Sequence, residues 1–149
     1  MAHDLVYVTQ PADWRSYHEI RRIVLFEDRG RYDVYDENHA DEYLPDHHPL
    51  LLKFNGNAVG TARIDNFNNG TGAVRLVAIV KSEQGKGHGR VLSRMVEDFA
   101  KSIGIQTLYV NAAPEAVGYY ERLNWKPHIW DSAELTGISH GCIQMLKTL

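Results

Sequence analysis

Residues 73–103 read AVRLVAIVKSEQGKGHGRVLSRMVEDFAKSI, an apolar run, a glycine turn and a periodic stretch, and the rest of the chain reads as support for that unit. Ala73 to Val80 is short, apolar and rich in β-branched residues, the pattern of a strand. Beyond the turn, Leu92, Met95, Val96, Phe99 and Ile103 recur at three- and four-residue spacing, with Arg94, Glu97, Asp98 and Lys101 off that face. This is an amphipathic helix, and Gly104 is its natural stop. Gly85, Gly87 and Gly89, at alternate positions, let the backbone come close to a ligand and take positive φ where the turn demands it. A helix that opens there presents unpaired amides and the positive end of its dipole, which makes an anion site suited to a phosphate or pyrophosphate. Lys86 and Arg90 add positive charge beside it.

A dinucleotide fold would need G-x-G-x-x-G near the start of its βαβ unit and an acid about 20 residues on. Here the turn is G-x-G-x-G, it sits mid-chain, and Gln106 stands where the acid would fall. A phosphate loop of the form G-x-x-x-x-G-K-[ST] is absent as well. Taken alone, the turn leaves a plain strand-turn-helix open beside a ligand loop.

With 149 residues the chain fits one domain, residues 1–149, and is long enough to bury a proper core. Apolar residues at 44% and charged residues at 23% leave no case for disorder. The single cysteine, Cys142, forbids an internal disulfide and reads as a small buried hydrophobe on an apolar strand. MAHDLVYVTQ has no basic region followed by a long apolar run, and no segment approaches the roughly 18 apolar residues of a membrane span. A cytoplasmic protein with no membrane partner is the expectation. A net charge of -3 argues against a nucleic-acid surface, because phosphate binding depends on clustered Lys and Arg.

In chain order, Leu5 to Thr9 reads as a strand, and Pro11 opens a helix in which Trp14, Tyr17, Ile20 and Val24 form one stripe, ending near Phe26 or Glu27. Asp33 to Leu44 is a short second helix or a loop crowded with acid: Asp33, Asp36, Glu37, Asp41 and Glu42, with Asp46 beyond. It reads either as a solvated face or as a wall that attracts a cationic acceptor. His39, His47 and His48 lie nearby without metal-ligand spacing, so no metal site is expected. Leu50 to Phe54, Asn55-Gly56-Asn57 and Ala58 to Asp65 carry a hairpin signal, since Asn-Gly supplies the positive φ of a tight turn. Arg63 and Arg75 fall within strands, facing either solvent and acids or a substrate cleft. A strand, QTLYVN, a helix opened by Pro114, a strand from Trp125 to Trp130, a polar loop from Asp131 to Ser139 and a closing strand from Cys142 to Leu146 complete the chain.

Gln84, Gly87 and Gly89 fit Q/R-x-x-G-x-G/A, and AVGYYERLNW is similar to A-x-x-(F/Y)-Y-E-x-L-G-(F/W) at the expected distance downstream. With these two motifs and the element order, the chain resembles the GNAT (GCN-related) N-acetyltransferase superfamily over nearly its whole length. RRIVLFEDRG, GTARI and GISHGCIQM further resemble its ElaA-type branch. The resemblance implies an α/β (α+β) single-domain GNAT fold: a mixed, mostly antiparallel central sheet of six to seven strands flanked by about four helices. It implies acetyl-CoA as co-substrate, held by backbone at Val77, Ala78 and Ile79 along the pantetheine arm and at Gln84, Gly85, Lys86, Gly87, His88, Gly89 and Arg90 around the pyrophosphate. Tyr120 matches the general acid near the thioester sulfur, whereas Tyr119, rotated by about 100° on the helix, faces elsewhere. Ala113 stands where the superfamily often places an asparagine against the cofactor, which leaves Asn111 as the candidate. Asn124 replaces a usual glycine, and Ala73 and Leu108 stand where some relatives carry a glutamate base, so the base is not identified.

A lysine-like amine has a pKa of about 10.4, so freeing its lone pair at pH 7 costs roughly 4–5 kcal/mol, and some carboxylate, histidine or water chain must take the proton. The resemblance implies direct attack on the thioester in a splayed gap between the fourth and fifth strands. The expected activity is acetyl-CoA-dependent N-acetylation of a small-molecule amine, amino acid or aminosugar. The alternatives are a CoA-binding sensor without turnover and acetylation of a protein amine. A homodimer is compatible with this reading.

Overall fold

The structure is a computed structural model that describes residues 2–149, with the side chain of Ile138 outside that description. Seven strands form one sheet: β1 (His3–Tyr7), β2 (His47–Phe54), β3 (Asn57–Asn66), β4 (Thr71–Ile79), β5 (Thr107–Ala112), β6 (Lys126–Pro127) and β7 (Ile143–Thr148). Their order is β1-β2-β3-β4-β5-β7-β6, and every pairing is antiparallel except β4 with β5. Three α-helices flank it, α1 (Pro11–Arg21), α2 (His88–Ser102) and α3 (Val117–Arg122). This is the mixed, mostly antiparallel α/β architecture that the resemblance implies.

Strand alternation sorts the core into two layers. Leu50, Leu52, Ile64 and Val74 point to one face, where they meet Leu92, Val96 and Ala100 of α2. Leu51, Ala78 and Val8 point to the other, against Tyr17 and Ile20 of α1. Asn55, with φ 51°, and Gly56, with φ 84°, make the hairpin turn that links β2 to β3. Asn124 has φ 72°, so it fills the left-handed position that its short polar side chain tolerates.

Several elements differ from the reading of the sequence. The helix expected to end near Phe26 or Glu27 is regular only to Arg21, continues as a π-turn over Arg22–Phe26 and a 3₁₀ turn over Glu27–Arg29, and stops at Gly30 in the left-handed region. The acidic stretch forms only a 3₁₀ turn, Ala40–Tyr43. Between Trp125 and Trp130 only Lys126 and Pro127 pair, at the sheet's outer edge, where a proline costs no ladder hydrogen bond. Cys142 lies just outside β7, in the turn before it, and is half-buried beside a cavity, which corrects its assignment to an apolar strand.

Candidate active site

Parallel pairing of β4 with β5 runs from Thr71/Thr107 to Val74/Val110 and stops there, although β4 continues to Ile79 and β5 to Ala112. The cause lies in β4. Thr61 pairs with Ala78 and Arg63 with Arg75, so β4 holds one residue more than β3 between those pairs. This is a bulge, and Leu76 within it has φ 51°. A bulky residue held in the left-handed region is a backbone outlier that surrounding structure must stabilise. The bend turns β4 away from β5 and opens a gap in the sheet.

A cavity of about 680 Å³ occupies that gap and spreads over the α1 face. Val74, Leu76 and Val77 of β4, Val110 to Ala112 of β5, Tyr120 of α3 and Cys142 line its floor, and Asp41, His47, Arg63, Asp65, Arg75 and Glu134 line its polar wall. Leu25 and Arg29 close one side, brought there by the π- and 3₁₀ turns after α1. Tyr120 also borders a smaller void toward Leu92, Ser93 and Trp125. Burial pushes its hydroxyl above the ordinary phenol range, with Tyr119 and Cys142 adding to the effect, so it is protonated at neutral pH.

The glycine turn stands beside the end of β4. Gly85 (φ 78°) and Gly87 (φ 88°) hold left-handed backbone with open space where a Cβ would project. Gly89 differs, because a Cβ there would come within 3.2 Å of the Tyr119 hydroxyl. Gly87 caps α2 without any side-chain hydrogen bond, leaving the first amides of the helix pointing outward. Gln84 Nε2 donates to Ile79 O at 3.0 Å, which ties the turn to the strand. Lys86 pairs with Glu83 at 3.1 Å, and Arg90 is exposed. His88 is buried, with Nε2 3.0 Å from Glu83 Oε1 and Nδ1 2.9 Å from His3 Nε2, so its side chain braces the turn and only its backbone faces outward. Gly87→Ala is expected to lower stability by about 1–2 kcal/mol, measured by denaturant unfolding, because alanine resists left-handed backbone.

Of the strand residues, Val77 lines the cavity, Ala78 is buried against α1 and Ile79 packs toward α2. Asn111 lines the cavity with both ends of its amide engaged: Nδ2 donates to Glu134 Oε1 at 3.2 Å, and Oδ1 accepts from Gln144 Nε2 at 3.0 Å. Tyr119 faces α2 through a 3.0 Å contact between its hydroxyl and Ser93 Oγ.

Sequence reasoning missed a charged chain on the cavity wall. Fully buried Arg21 pairs with buried Glu42, which also accepts from Arg63 Nη1 at 3.3 Å. Arg63 grips Asp65 through Nε at 2.7 Å and Nη2 at 3.0 Å. Arg75 Nε reaches Asp65 at 3.0 Å, and its other nitrogens clamp Glu134. Glu42 is therefore no part of an acidic wall facing an acceptor. It anchors the 3₁₀ turn, and Asp41 alone of that pair lines the cavity. The available signal was alternation: Arg63 and Asp65 share a face, and register places Arg75 beside Arg63. Among the described residues, no cluster of three or more His, Cys, Asp or Glu could hold a metal ion, and no helix is long and apolar enough to cross a membrane.

A family model described as Acetyltransferase (GNAT) family matches residues 14–125. A curated Bacillus subtilis (strain 168) protein that bears an acetyltransferase name is 30% identical over 139 residues, covering 89% of each chain. Among solved structures, an N-acetyltransferase by its description from Lactobacillus plantarum superposes with a TM-score of 0.80 at 20% identity, covering 100% of this chain and 99% of its own. N-acetylglutamate synthase from Neisseria gonorrhoeae, complexed with coenzyme A and N-acetyl-glutamate, superposes with a TM-score of 0.74 at 16% identity, covering 100% of this chain and 35% of its own.

Proposed function

This chain belongs to the acetyltransferase (GNAT) family, and from that premise we propose that it carries an acetyl group from acetyl-CoA to the primary amine of a small molecule. The observation that carries this reading is the break in the sheet: pairing stops at Val74/Val110 and leaves a gap continuous with a cavity that Tyr120 lines. Backbone groups of β4 beyond the bulge lie along one side of the gap, where an extended amide-bearing arm takes the place of a neighbouring strand. The open amides at the start of α2 receive the pyrophosphate. A structural neighbour of the same fold is complexed with coenzyme A, which is consistent with a coenzyme A ligand here.

The residues of this chain then divide the work. Val77, Ala78 and Ile79 align the arm through backbone, and Gln84 holds the turn so that Gly85 to Arg90 present their amides. Asn111, fixed by Glu134 and Gln144, shapes the wall beside the thioester. The amine attacks the thioester carbonyl directly, and the C–S bond breaks as the tetrahedral intermediate collapses. Tyr120 donates its hydroxyl hydrogen toward the departing sulfur. A polar acceptor suits the cavity wall, whose arginines and carboxylates are balanced in charge: Arg29, Arg63 and Arg75 against Asp41, Asp65 and Glu134.

Release of CoA thiol from acetyl-CoA by purified protein, across a panel of amines, amino acids and aminosugars, tests this reading. Thiol release that depends on one of these acceptors is the expected result. Tight acetyl-CoA binding by calorimetry with no turnover of any acceptor would instead establish a sensor, a reading favoured by the engagement of both Asp65 and Glu134 with arginines. Turnover confined to peptide amines would move the acceptor to the protein class.

A further inference from the structure

Adjacent histidines at the start of β2 point to opposite faces of the sheet. His48 meets Tyr7 and Phe99 on the α2 side, with its Nδ1 3.0 Å from the Tyr7 hydroxyl. His47 faces the cavity. Its Nδ1 lies within hydrogen-bond reach of the Asp41 carbonyl, which can only accept, so Nδ1 carries the hydrogen and the lone pair of the neutral ring is left on Nε2. That nitrogen lies 3.5 Å from Asp65 Oδ2. Register places the pair in one row with the reacting strand: His47 pairs with Asp65, and Asp65 with Ala73. His47 and Tyr120 line the same cavity, which joins the imidazole to the gap.

We propose that His47 is the general base of the acetyl transfer, with Asp65 as the positioning residue that stabilises the imidazolium; this rests on the acetyltransferase reading above. The acceptor enters as an ammonium ion. His47 Nε2 takes its first proton and later passes it to solvent. The freed lone pair forms the C–N bond, the C–S bond breaks as Tyr120 gives its hydroxyl hydrogen to the sulfur, and the second proton lost by the nitrogen returns through solvent to Tyr120, so one proton is released per turnover. Asp65 and Glu134 are held by arginines, and Asp41, the remaining cavity carboxylate, stands exposed in the 3₁₀ turn, so on the sheet side of the cavity His47 supplies the lone pair. The charged and titratable groups around it are Asp46 and His48 on its own strand, Asp65 and Arg63 on β3, Arg75 on β4, and Asp41 and Glu42 in the 3₁₀ turn.

The test compares wild type with His47→Gln, whose side-chain amide can still donate to the Asp41 carbonyl. With a strongly basic amine at pH 7, kcat/KM is expected to fall about 100-fold, in the range of lost base catalysis, and to rise in proportion to hydroxide as pH increases, where the wild type levels off. With an acceptor amine already neutral at pH 7, wild type and variant should agree within about threefold. Acetyl-CoA affinity by calorimetry should be unchanged. An equal loss on basic and neutral amines, or no loss on the basic one, overturns the base assignment while leaving the acetyltransferase reading in place. A wild type that binds acetyl-CoA and turns over no amine overturns both.

Discussion

Glu42→Ala is expected to lower the unfolding free energy by about 3–5 kcal/mol, the usual cost of stranding one member of a buried ion pair. Arg21 is fully buried and Arg63 nearly so, and Glu42 is the carboxylate they share. Without it Arg21 keeps a long 3.4 Å contact to the Tyr35 hydroxyl and the faces of the Tyr17 and Tyr35 rings, 4.5 and 5.9 Å from its guanidinium carbon. In a chain of this length about 1 kcal/mol moves the melting temperature by roughly 2–4 °C, so a drop of about 10 °C should be seen by calorimetry. The pair is also imperfect, since Arg21 Nε and Nη2, Glu42 Oε2 and the Tyr17 hydroxyl are buried without hydrogen-bond partners among the described residues. Replacing both members, Arg21→Met with Glu42→Leu, should therefore cost less than Glu42→Ala alone, because no charge is left uncompensated. A single-variant loss below about 1 kcal/mol would show that the turn does not depend on this pair.

Tyr120→Phe is expected to lower kcat by at least about tenfold, with acetyl-CoA affinity and melting temperature little changed. A thiolate leaving group resembles a cysteine, with a pKa of about 8.5, and a free phenol lies near 10, so proton donation in water is uphill by roughly 2 kcal/mol. Burial raises the Tyr120 hydroxyl further. The same dry surroundings raise the basicity of a departing thiolate, and a hydrogen bond to the developing charge is stronger there than in water. Tyr120 is thus suited to stabilise the leaving sulfur before transfer is complete. Its ring packing against Trp125 survives the substitution. Tyr119→Phe provides the contrast: it removes the contact with Ser93 and should cost about 1 kcal/mol of stability while kcat stays unchanged. Full kcat in Tyr120→Phe would return that residue to packing.

The strand-turn-helix at residues 73–103 and the Asn55-Gly56 hairpin were legible, because each rests on local periodicity or on a residue whose backbone preference is strong, whereas Tyr120 stands out only by resemblance. Glu42 was not. A run of acids looks the same whether its members face water or an arginine, and the partners Arg21 and Arg63 lie 21 residues away on either side. The gap was expected only by resemblance, since its cause, one extra residue near Leu76, leaves no mark in an apolar run. In the sequence His47 stands with His39 and His48 only as a candidate metal ligand, and the strand reads from Leu50, whereas β2 starts at His47 and its alternation sends His47 and His48 to opposite faces. Trp130 reads as a strand residue, yet its indole stacks on Tyr109 and donates to Val110 O at 3.2 Å, a contact set by the loop that follows β6.

The short parallel pairing of β4 with β5 also sets how this protein comes apart. Residues 3–79 supply β1 to β4, in which each strand lies beside its neighbour in sequence, whereas β5, β7 and β6 supply the other half. Only four residue pairs join the halves through the sheet, and the chain crosses between them by way of α2. Contacts local in sequence form fast and reform fast, whereas a parallel join must first close a long crossover. The bulged edge of β4 is therefore the place where the sheet is expected to open first, and amide exchange there should be faster than within the antiparallel ladders on either side.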